Sequence, residues 1–366
     1  MVLRSGLLLA AIFIWFGQAV ADFPTEHDPK STYFIEYDDL DIILKGSVLE
    51  MGASTHKPPK QGRTKITGTR IQVGNILKTR QEGNRLMFHE FEDRELLVLR
   101  RLRDELLSVP MQLPLKDLSR NEQLAYWFNL HNVIVLAEMS EQYPLTRLKP
   151  FFDLGDPKAF ISQRRFEMNG SMISLADIQN HVTKNWRDPL VIYGFYMGAV
   201  GTPNLRTAAY RGGKVYDQLQ SNAVDFINSM RGTQIWQGPV LKVSTYYLRM
   251  AEMFPDFENS VRAHVEKYAK PDFKRRMITT NRVSAEIEDW HIADLYNGKP
   301  GLQPGGVYPQ FTKDGDGNIY TRGIPEHVAQ LLRDRQIKFL RRKGTVDIEE
   351  LPQSKESETL EKEDKN

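Results

Sequence analysis

Hydrophobic residues occupy most positions of one long segment, SRNEQLAYWFNLHNVIVLAEMSEQY, at residues 119–143. Four polar residues interrupt its apolar part: Glu122, Asn129, His131 and Asn132. A buried helix can carry such groups only if each has a hydrogen-bond partner, because an unsatisfied buried amide costs roughly 1–3 kcal/mol. The segment therefore predicts a buried central helix whose polar side chains are paired.

The first residues of this segment have the pattern of a capping box. In Ser119-x-x-Glu122 the hydroxyl accepts a hydrogen bond from the third helical residue, while the glutamate reaches back to the backbone before the helix. Tyr143-Pro144 marks the other end, because a residue before proline disfavours the helical conformation. We therefore expect a helix that begins at Ser119 and ends by Tyr143.

The hydrophobic pattern predicts further elements on both sides of this helix. They are an amphipathic stretch at 37–51, strands near 66–73 and 85–91, a leucine-rich helix at 96–107, a hairpin at 165–173 around Asn169-Gly170, a helix from Ser174, a buried strand within 190–201 that leads into a tight turn at 198–203, a helix at 214–230, a strand at 234–243 broken by Gly238-Pro239, a helix from Ser244 to Phe254, and a helix at 258–268. Helices and hairpins are mixed rather than alternating as strand and helix. We therefore predict an α+β fold, a single mixed helix/sheet domain built around the central helix.

The first 21 residues have the pattern of a secretory signal peptide. One early positive charge, Arg4, precedes an apolar run of ten residues, Leu7 to Phe16, whereas a permanent membrane helix needs about 20. Ala19 and Ala21 match the small-residue cleavage pattern. We expect the mature chain to start at Asp22 and to be periplasmic or secreted, and an uncleaved membrane anchor is the alternative.

The end of the chain has an uneven charge distribution. Residues 325–344 begin with a proline and end with a glycine, which predicts a helix. Its basic residues are Arg333, Arg335, Lys338, Arg341, Arg342 and Lys343. Residues 346–366 hold eight acidic residues against three lysines, which predicts a disordered acidic tail. Two interpretations of the basic helix stay open, a solvated helix or one that contacts an anionic membrane surface.

The composition excludes several classes of site. The chain has no cysteine, so it has no disulfide, thiolate metal site, cysteine nucleophile or lipid-bearing cysteine. Its 49 basic and 47 acidic residues nearly balance, which gives no indication of nucleic-acid binding. A hydrophobic content of 40% is enough for a packed interior.

Local metal motifs are also absent from the sequence. No two of the eight histidines stand two or four positions apart, so no local zinc pattern is present. Residues 314–318 begin like a calcium loop, but Ile319 stands where that loop requires glycine, and we interpret them as a hairpin turn. We expect no metal and no cofactor, and the patterns do not indicate an oligomeric state.

Three segments and a short closing motif resemble a family called domain of unknown function 547 (DUF547). SRNEQLAYWFNLHN resembles the family's helix S-x-x-E-Q-L-A-F-W-I-N-L-Y-N. DPLVIYGFYMGAVGTPNLR, which ends at Arg206, resembles D-P-R-I-H-F-A-L-N-C-G-A-V-S-C-P-P-L-R. VSTYYLRMAEMFPDF resembles a late V-S-x-x-F-x-W-x-x-x-D-F segment, and Glu288-Asp289-Trp290 resembles the closing Y-D-W. The resemblance implies a fold neighbourhood but no reaction, because the family has no agreed activity.

With this resemblance the chain divides into five regions. We predict a signal peptide at 1–21, an N-terminal β-containing extension at 22–95, the domain resembling DUF547 at 96–295, a C-terminal hairpin and basic helix at 296–344, and the acidic tail at 345–366.

The chain departs from the family where other members have histidine and cysteine. Ile192, Tyr196-Met197 and Gly201-Thr202 replace the family's His, Asn-Cys and Ser-Cys. Where the family often has D-I-E-H, this chain has Asp177-Ile178-Gln179-Asn180, with His181 one place later. If relatives are cysteine hydrolases of a papain-like or transglutaminase-like kind, this chain resembles a non-catalytic or differently equipped branch.

Polar residues of the first two segments are candidates for a ligand site. They are Glu122, Asn129, Asn132, Tyr193, Tyr196 and Arg206. Glu122 and Asn129 are seven positions apart and share a helix face, so they could line a site. The alternative is that Glu122 serves only the capping box and that Asn129 is a paired core amide. Glu122 and His131 are weak catalytic candidates, and a core histidine bonded to a carbonyl is the alternative for His131.

Two functions remain open on these grounds. The first is an exported, non-catalytic module of the cell envelope that binds a peptide, glycan or protein partner in a groove beside the central helix. The second is an envelope hydrolase with Glu122 as base and Tyr193, Tyr196 or Thr202 near the reacting group. That base would need a pKa raised by burial.

Overall fold

A computed structural model describes residues 23–54, 56, 82–236, 238–298, 310–313, 319–322, 328, 331–333, 335 and 336. The predicted signal peptide, the strand near 66–73, the turn at 314–318 and the acidic tail lie outside these residues.

The described elements are mostly helices with small sheets. The helices are α1 Asp38–Ser47, α2 Asp93–Gln112, α3 Arg120–Glu141, α4 Leu175–Asn185, α5 Val215–Ile227, α6 Tyr246–Arg249, α7 Phe257–Tyr268 and α8 Pro271–Met277. The strands are β1 Val48–Leu49, β2 Arg85–Leu86, β3 Phe166–Met168, β4 Ser171–Ile173, β5 Thr233–Gln234, β6 Val240–Ser244, β7 Arg282–Ile287, β8 Gln310–Lys313 and β9 Ile319–Arg322. This mixture confirms the predicted α+β class.

Helix α3 is the predicted central helix. Every residue from Gln123 to Ser140 is buried, and α2, α4 and α5 pack around it. The Ser119 hydroxyl accepts a hydrogen bond from the Glu122 backbone N–H at 3.3 Å, as the predicted cap requires. The other half of the predicted capping box is wrong, because the Glu122 carboxylate accepts from the Gly212 backbone N–H at 3.1 Å instead.

The hairpin predicted at Asn169-Gly170 is confirmed. Strands β3 and β4 pair antiparallel, with Phe166 opposite Ile173. Asn169 and Gly170 have φ angles of 50° and 76°, the positive pair that a two-residue hairpin turn of type I′ needs. Helix α4 follows directly, and it has the reciprocal capping box that α3 lacks, formed by Ser174 and Asp177.

The buried strand predicted over 190–201 is wrong. Residues Pro189–Gly194 form a 3-10 helix, and the Asp188 carboxylate caps it by accepting from the Leu190 N–H at 2.9 Å. Beyond it residues 195–201 form no strand, and only Ala199 makes an antiparallel bridge, with Ile292. The segment is buried as predicted, but a run of buried apolar residues does not by itself distinguish a strand from a helix.

A three-stranded sheet has the order β5-β6-β7. Strand β6 pairs antiparallel with β5 and parallel with β7, with Leu241 opposite Val283. Leu241 and Val243 are fully buried and place the sheet against the hydrophobic core. The pattern did not indicate β7 or α8. The strand predicted over 85–91 is shorter, because only Arg85–Leu86 is extended before a 3-10 turn.

The C-terminal part packs on the rest of the molecule. Residues 328, 331–333, 335 and 336 are helical, within the predicted basic helix. Val328 and Leu331 are buried against Met51 and Leu295, and the Arg335 Nε donates to the Glu50 carbonyl at 2.8 Å. The apolar side chains of Val328 and Leu331 are therefore used inside the protein. No helix in the described ranges is long and apolar enough to cross a bilayer.

Candidate functional site

Two asparagines of α3 bond the backbone of other core segments through their side-chain amides. Asn129 Nδ2 donates to the Tyr210 carbonyl at 2.8 Å, and its Oδ1 accepts from the Tyr210 N–H at 2.9 Å. Asn132 Nδ2 donates to the Gly194 carbonyl at 3.0 Å, and its Oδ1 accepts from the Tyr196 N–H at 2.9 Å. Both amides are buried. They bond backbone groups of Gly194, Tyr196 and Tyr210, which belong to no strand, and this is the geometry of paired core amides.

His131 is enclosed between two amides. Its Nδ1 lies 3.1 Å from Asn132 Oδ1, and its Nε2 lies 3.0 Å from Gln179 Nε2. Asn132 Oδ1 is an acceptor and Gln179 Nε2 is a donor, so Nδ1 carries the proton and Nε2 accepts. Complete burial lowers the pKa of His131 to about 4. A neutral imidazole with both nitrogens engaged has no free position for a substrate proton.

Glu122 lies at the start of α3, under the loop that contains Gly212. A Cβ at Gly212 would stand 2.4 Å from Glu122 Oε1, so the loop approaches the carboxylate at a distance that only glycine permits. Burial raises the pKa of Glu122, while the Gly212 N–H and the Arg211 charge oppose that rise.

The hydroxyl groups predicted to assist Glu122 lie elsewhere. Tyr193 Oη lies 2.9 Å from both Tyr247 Oη and His264 Nε2. Thr202 Oγ1 donates to the Ala199 carbonyl at 2.8 Å. The hydrogen bonds of these hydroxyls therefore do not involve Glu122.

Tyr196 lies in a third place, in the field of Asp294 and Arg85. Burial and the Asp294 charge raise the pKa of Tyr196, and the Arg85 charge lowers it. The predicted ligand residues are thus distributed over separate parts of the core.

The positions where the family has histidine and cysteine hold inert groups here. Ile192 and Met197 are fully buried and Thr202 is buried. Gln179, from the segment that replaces D-I-E-H, bonds His131. These side chains pack or pair within the core, and none supplies a nucleophile next to a base.

Arg206 lines a polar cleft of about 380 Å³ beside α5, which we call the α5 cleft. It is lined by Glu50, Gly52, Ala53, Ser54, Asn84, Asn204, Arg206, Thr207, Ser221, Asn222, Val224, Asp225, Asn228 and Lys270. Side chains with hydrogen-bonding groups predominate in this lining. The cleft is where a ligand with several polar groups has access to fixed partners.

Helix α5 supplies one wall of the cleft. Asn222 and Asp225 of α5, and Asn228 directly after its end, recur every three residues, so they lie on one side of the helix. Asn222 Nδ2 donates to the Asn204 carbonyl at 3.0 Å. Asn228 Oδ1 accepts from the Lys270 backbone N–H at 2.6 Å. The helix therefore fixes the two chain segments on either side of it.

A second wall comes from Asn84 and the segment that carries Arg206. The Asn84 N–H donates to Asn204 Oδ1 at 2.9 Å, and Asn84 Nδ2 donates to the Leu205 carbonyl at 3.0 Å. Asn204 Nδ2 donates to Asp225 Oδ2 at 2.6 Å. These bonds hold the wall rigid without a covalent crosslink.

Sequence reasoning found Arg206 but missed the rest of the cleft. The three-residue spacing of Asn222, Asp225 and Asn228 on a predicted helix was the available signal. Asn204 also stood inside the second motif. Asn84 and Lys270 lie far away along the chain, and only the fold brings them to the cleft.

The lining of the cleft supplies groups that can bind a polar ligand. It contains no histidine. Among the residues that the structure describes, no group of three or more histidine, aspartate or glutamate side chains could hold a metal ion. Amide, hydroxyl and charged groups can together satisfy a ligand that has both donors and acceptors.

Comparison with known proteins confirms the resemblance in part of the chain. Residues 115–227 match the model of a family described as a protein of unknown function, DUF547. The match includes α3, the β3-β4 hairpin, α4 and α5, and therefore one wall of the cleft. No curated protein and no solved structure matches the chain.

Proposed function

We propose that this protein is an exported component of the cell envelope that binds a glycan or a peptide in the α5 cleft, without covalent catalysis. The observation that carries the proposal is the way the cleft is built. Asn84, Asn204, Asn222 and Asn228 are each held by hydrogen bonds to the backbone. A ligand would meet polar groups that are already ordered, so binding would cost little further side-chain entropy.

The chemistry of the lining favours a ligand that is itself rich in hydrogen-bonding groups. Sugars and peptides present donors and acceptors at short intervals, as the cleft does. A purely apolar ligand would cover the exposed Ser221 hydroxyl and Lys270 ammonium without replacing their hydrogen bonds to water, at roughly 1–3 kcal/mol for each unsatisfied group. Because α3 is buried among α2, α4 and α5, the proposed site is the α5 cleft and not a groove beside α3.

Two neighbouring residues of α5 provide a matched test of this site. Ser221 is exposed and lines the cleft, while Gln220 is exposed and does not belong to the lining. We expect Ser221→Trp to fill the cleft and to abolish binding. Gln220→Trp should leave binding unchanged, because it adds the same bulk outside the cleft.

Binding is to be measured by NMR titration of the mature protein with soluble peptidoglycan fragments, and by pull-down from the envelope fraction. The proposal expects saturable binding that Ser221→Trp removes and Gln220→Trp retains. Absence of binding in both experiments, or binding that both variants retain, would refute the α5 cleft as a ligand site.

A further inference from the structure

The acidic side chains of the α5 cleft already have partners within the protein. Asp225 Oδ2 accepts from Arg231 Nη2 at 2.8 Å, and the Arg231 side chain is only 1% exposed. Glu50 Oε1 accepts from the Thr207 hydroxyl at 3.2 Å. The buried guanidinium behind Asp225 compensates that negative charge, so the carboxylate adds little repulsion toward an anion in the cleft.

The basic side chains of the cleft lack acidic partners in the described part of the chain. Arg206 Nη1 donates to the Gln218 carbonyl at 3.2 Å, and the guanidinium lies 5.9 Å from the centre of the Tyr210 ring. Arg206 Nε is buried without a hydrogen-bond partner. Lys270 is exposed, and its ammonium forms no ion pair with a described residue. Both residues line the same cleft, and neither charge is paired with a carboxylate of the described residues.

We propose that the ligand of the α5 cleft carries an anionic group, a carboxylate or a phosphate, that is bound by Arg206 and Lys270. This inference rests on the proposed function and adds the charge of the ligand to it. Hydrogen bonds between a guanidinium and a carboxylate or phosphate are about twice as strong as neutral ones. The planar guanidinium can also engage two oxygens of such a group.

Matched pairs of ligands separate the charge from the rest of the ligand. N-acetylmuramic acid and its methyl ester differ in one negative charge, and N-acetylglucosamine 1-phosphate and N-acetylglucosamine differ in one phosphate. We expect the charged member of at least one pair to bind about tenfold or more tightly, as one charge-assisted hydrogen bond allows. The pair that shows the preference identifies whether the cleft recognises a carboxylate or a phosphate.

Charge-removing variants test which residues produce the preference. Arg206→Gln and Lys270→Gln should each reduce the ratio between the charged and the neutral ligand. Arg206→Lys should retain part of it, because the charge remains while the planar geometry is lost. Lys274→Gln is the control, since Lys274 is an exposed cation of α8 outside the lining. Circular dichroism melting of each variant shows that the protein remains folded.

The outcomes distinguish the two proposals. Equal binding of charged and neutral members, blocked by Ser221→Trp, would overturn the anionic ligand and leave the cleft as a binding site. A preference that Lys274→Gln reduces as much as Arg206→Gln would also overturn the inference, because it would be a general charge effect. If none of the four ligands and no envelope component binds, the proposed function fails and the inference fails with it.

Discussion

Asn129 and Tyr210 are joined by two hydrogen bonds. The asparagine side chain donates one to the tyrosine backbone and accepts the other from it. The distances are 2.8 Å from Nδ2 to the Tyr210 carbonyl and 2.9 Å from the Tyr210 N–H to Oδ1. In this way a helix residue supplies the pairing that a neighbouring strand would supply. The segment around Tyr210 can therefore cross the core without being part of a sheet.

The first prediction follows from that pair. Asn129→Leu removes both bonds and leaves the buried N–H and carbonyl of Tyr210 unsatisfied. We expect a loss of roughly 1–3 kcal/mol in the free energy of unfolding, measured by urea denaturation and by a lower melting temperature. Ligand binding by the folded variant should be unchanged, because Asn129 does not line the α5 cleft.

Ser119→Ala is the comparison for this variant. Loss of the cap should cost about 1 kcal/mol, since the hydroxyl accepts from the Glu122 N–H. An Asn129→Leu protein as stable as the wild type would mean that the asparagine pair contributes nothing to the fold.

Short-range patterns in the sequence were sufficient to predict the elements whose structure depends on neighbouring residues. The Asn169-Gly170 turn, the start of a helix at Ser174 and the apolar run of α3 each have a local physical cause, and each is confirmed. The strand expected over 190–201 failed because Asp188 caps a 3-10 helix at Pro189–Gly194, and the cause is in part non-local. The backbone there pairs with the Asn132 side chain, a contact between residues about 60 positions apart that no periodicity reveals.

The candidate site could be predicted only in part for the same reason. Arg206 was noticed because it ends a recognisable motif. Its neighbours in the cleft come from the segments around Ser54, Asn84 and Lys270, which meet through tertiary packing. Polar residues on a buried helix attract functional interpretation, but Asn129 and Asn132 turn out to bond the backbone of the core.

The second prediction concerns Gly212 and Gly213, two adjacent glycines with different surroundings. A Cβ at Gly212 would meet Glu122 Oε1 at 2.4 Å and the Glu122 backbone nitrogen at 2.7 Å, whereas a Cβ at Gly213 would meet nothing within 4 Å. Gly212→Ala should therefore destabilise the protein by about 1–3 kcal/mol, as overpacking does. Gly213→Ala should have almost no effect on the unfolding free energy. Similar melting temperatures for both variants would contradict this account of the loop.

The third prediction concerns export. If residues 1–21 act as a signal peptide, the protein isolated from its native host has a mature N-terminus near Asp22. Mass spectrometry of the intact protein from the periplasmic and cytosolic fractions checks this. A cytosolic protein that retains Met1 would contradict export, and a membrane fraction that retains Met1 would indicate an uncleaved anchor.

The last prediction is the dependence of stability on pH through His131. In the folded protein the His131 pKa is lowered to about 4 by burial, and its ordinary value is about 6.5. The unfolded chain therefore binds a proton at this residue between about pH 6.5 and 4 that the folded protein does not bind. The contribution of His131 to stability is complete above pH 6.5 and is lost as the pH falls toward 4. Protonation would also direct a second N–H at the Gln179 amide donor, 3.0 Å away.

Urea denaturation at pH 7.0, 6.0 and 5.5 measures this dependence in the wild type and in His131→Gln. The free energy of unfolding of the wild type should fall on acidification. Its slope against pH should be steeper than that of His131→Gln by up to about 1.4 kcal/mol per pH unit, the value for one proton. Part of the slope should remain in the variant, because burial lowers the pKa of His181 and His264 to about 4 as well. Ser119→Ala shows whether destabilisation alone changes the slope, since it removes no titrating group. If His131→Gln has the same slope as the wild type, His131 is not a neutral buried histidine that couples folding to pH.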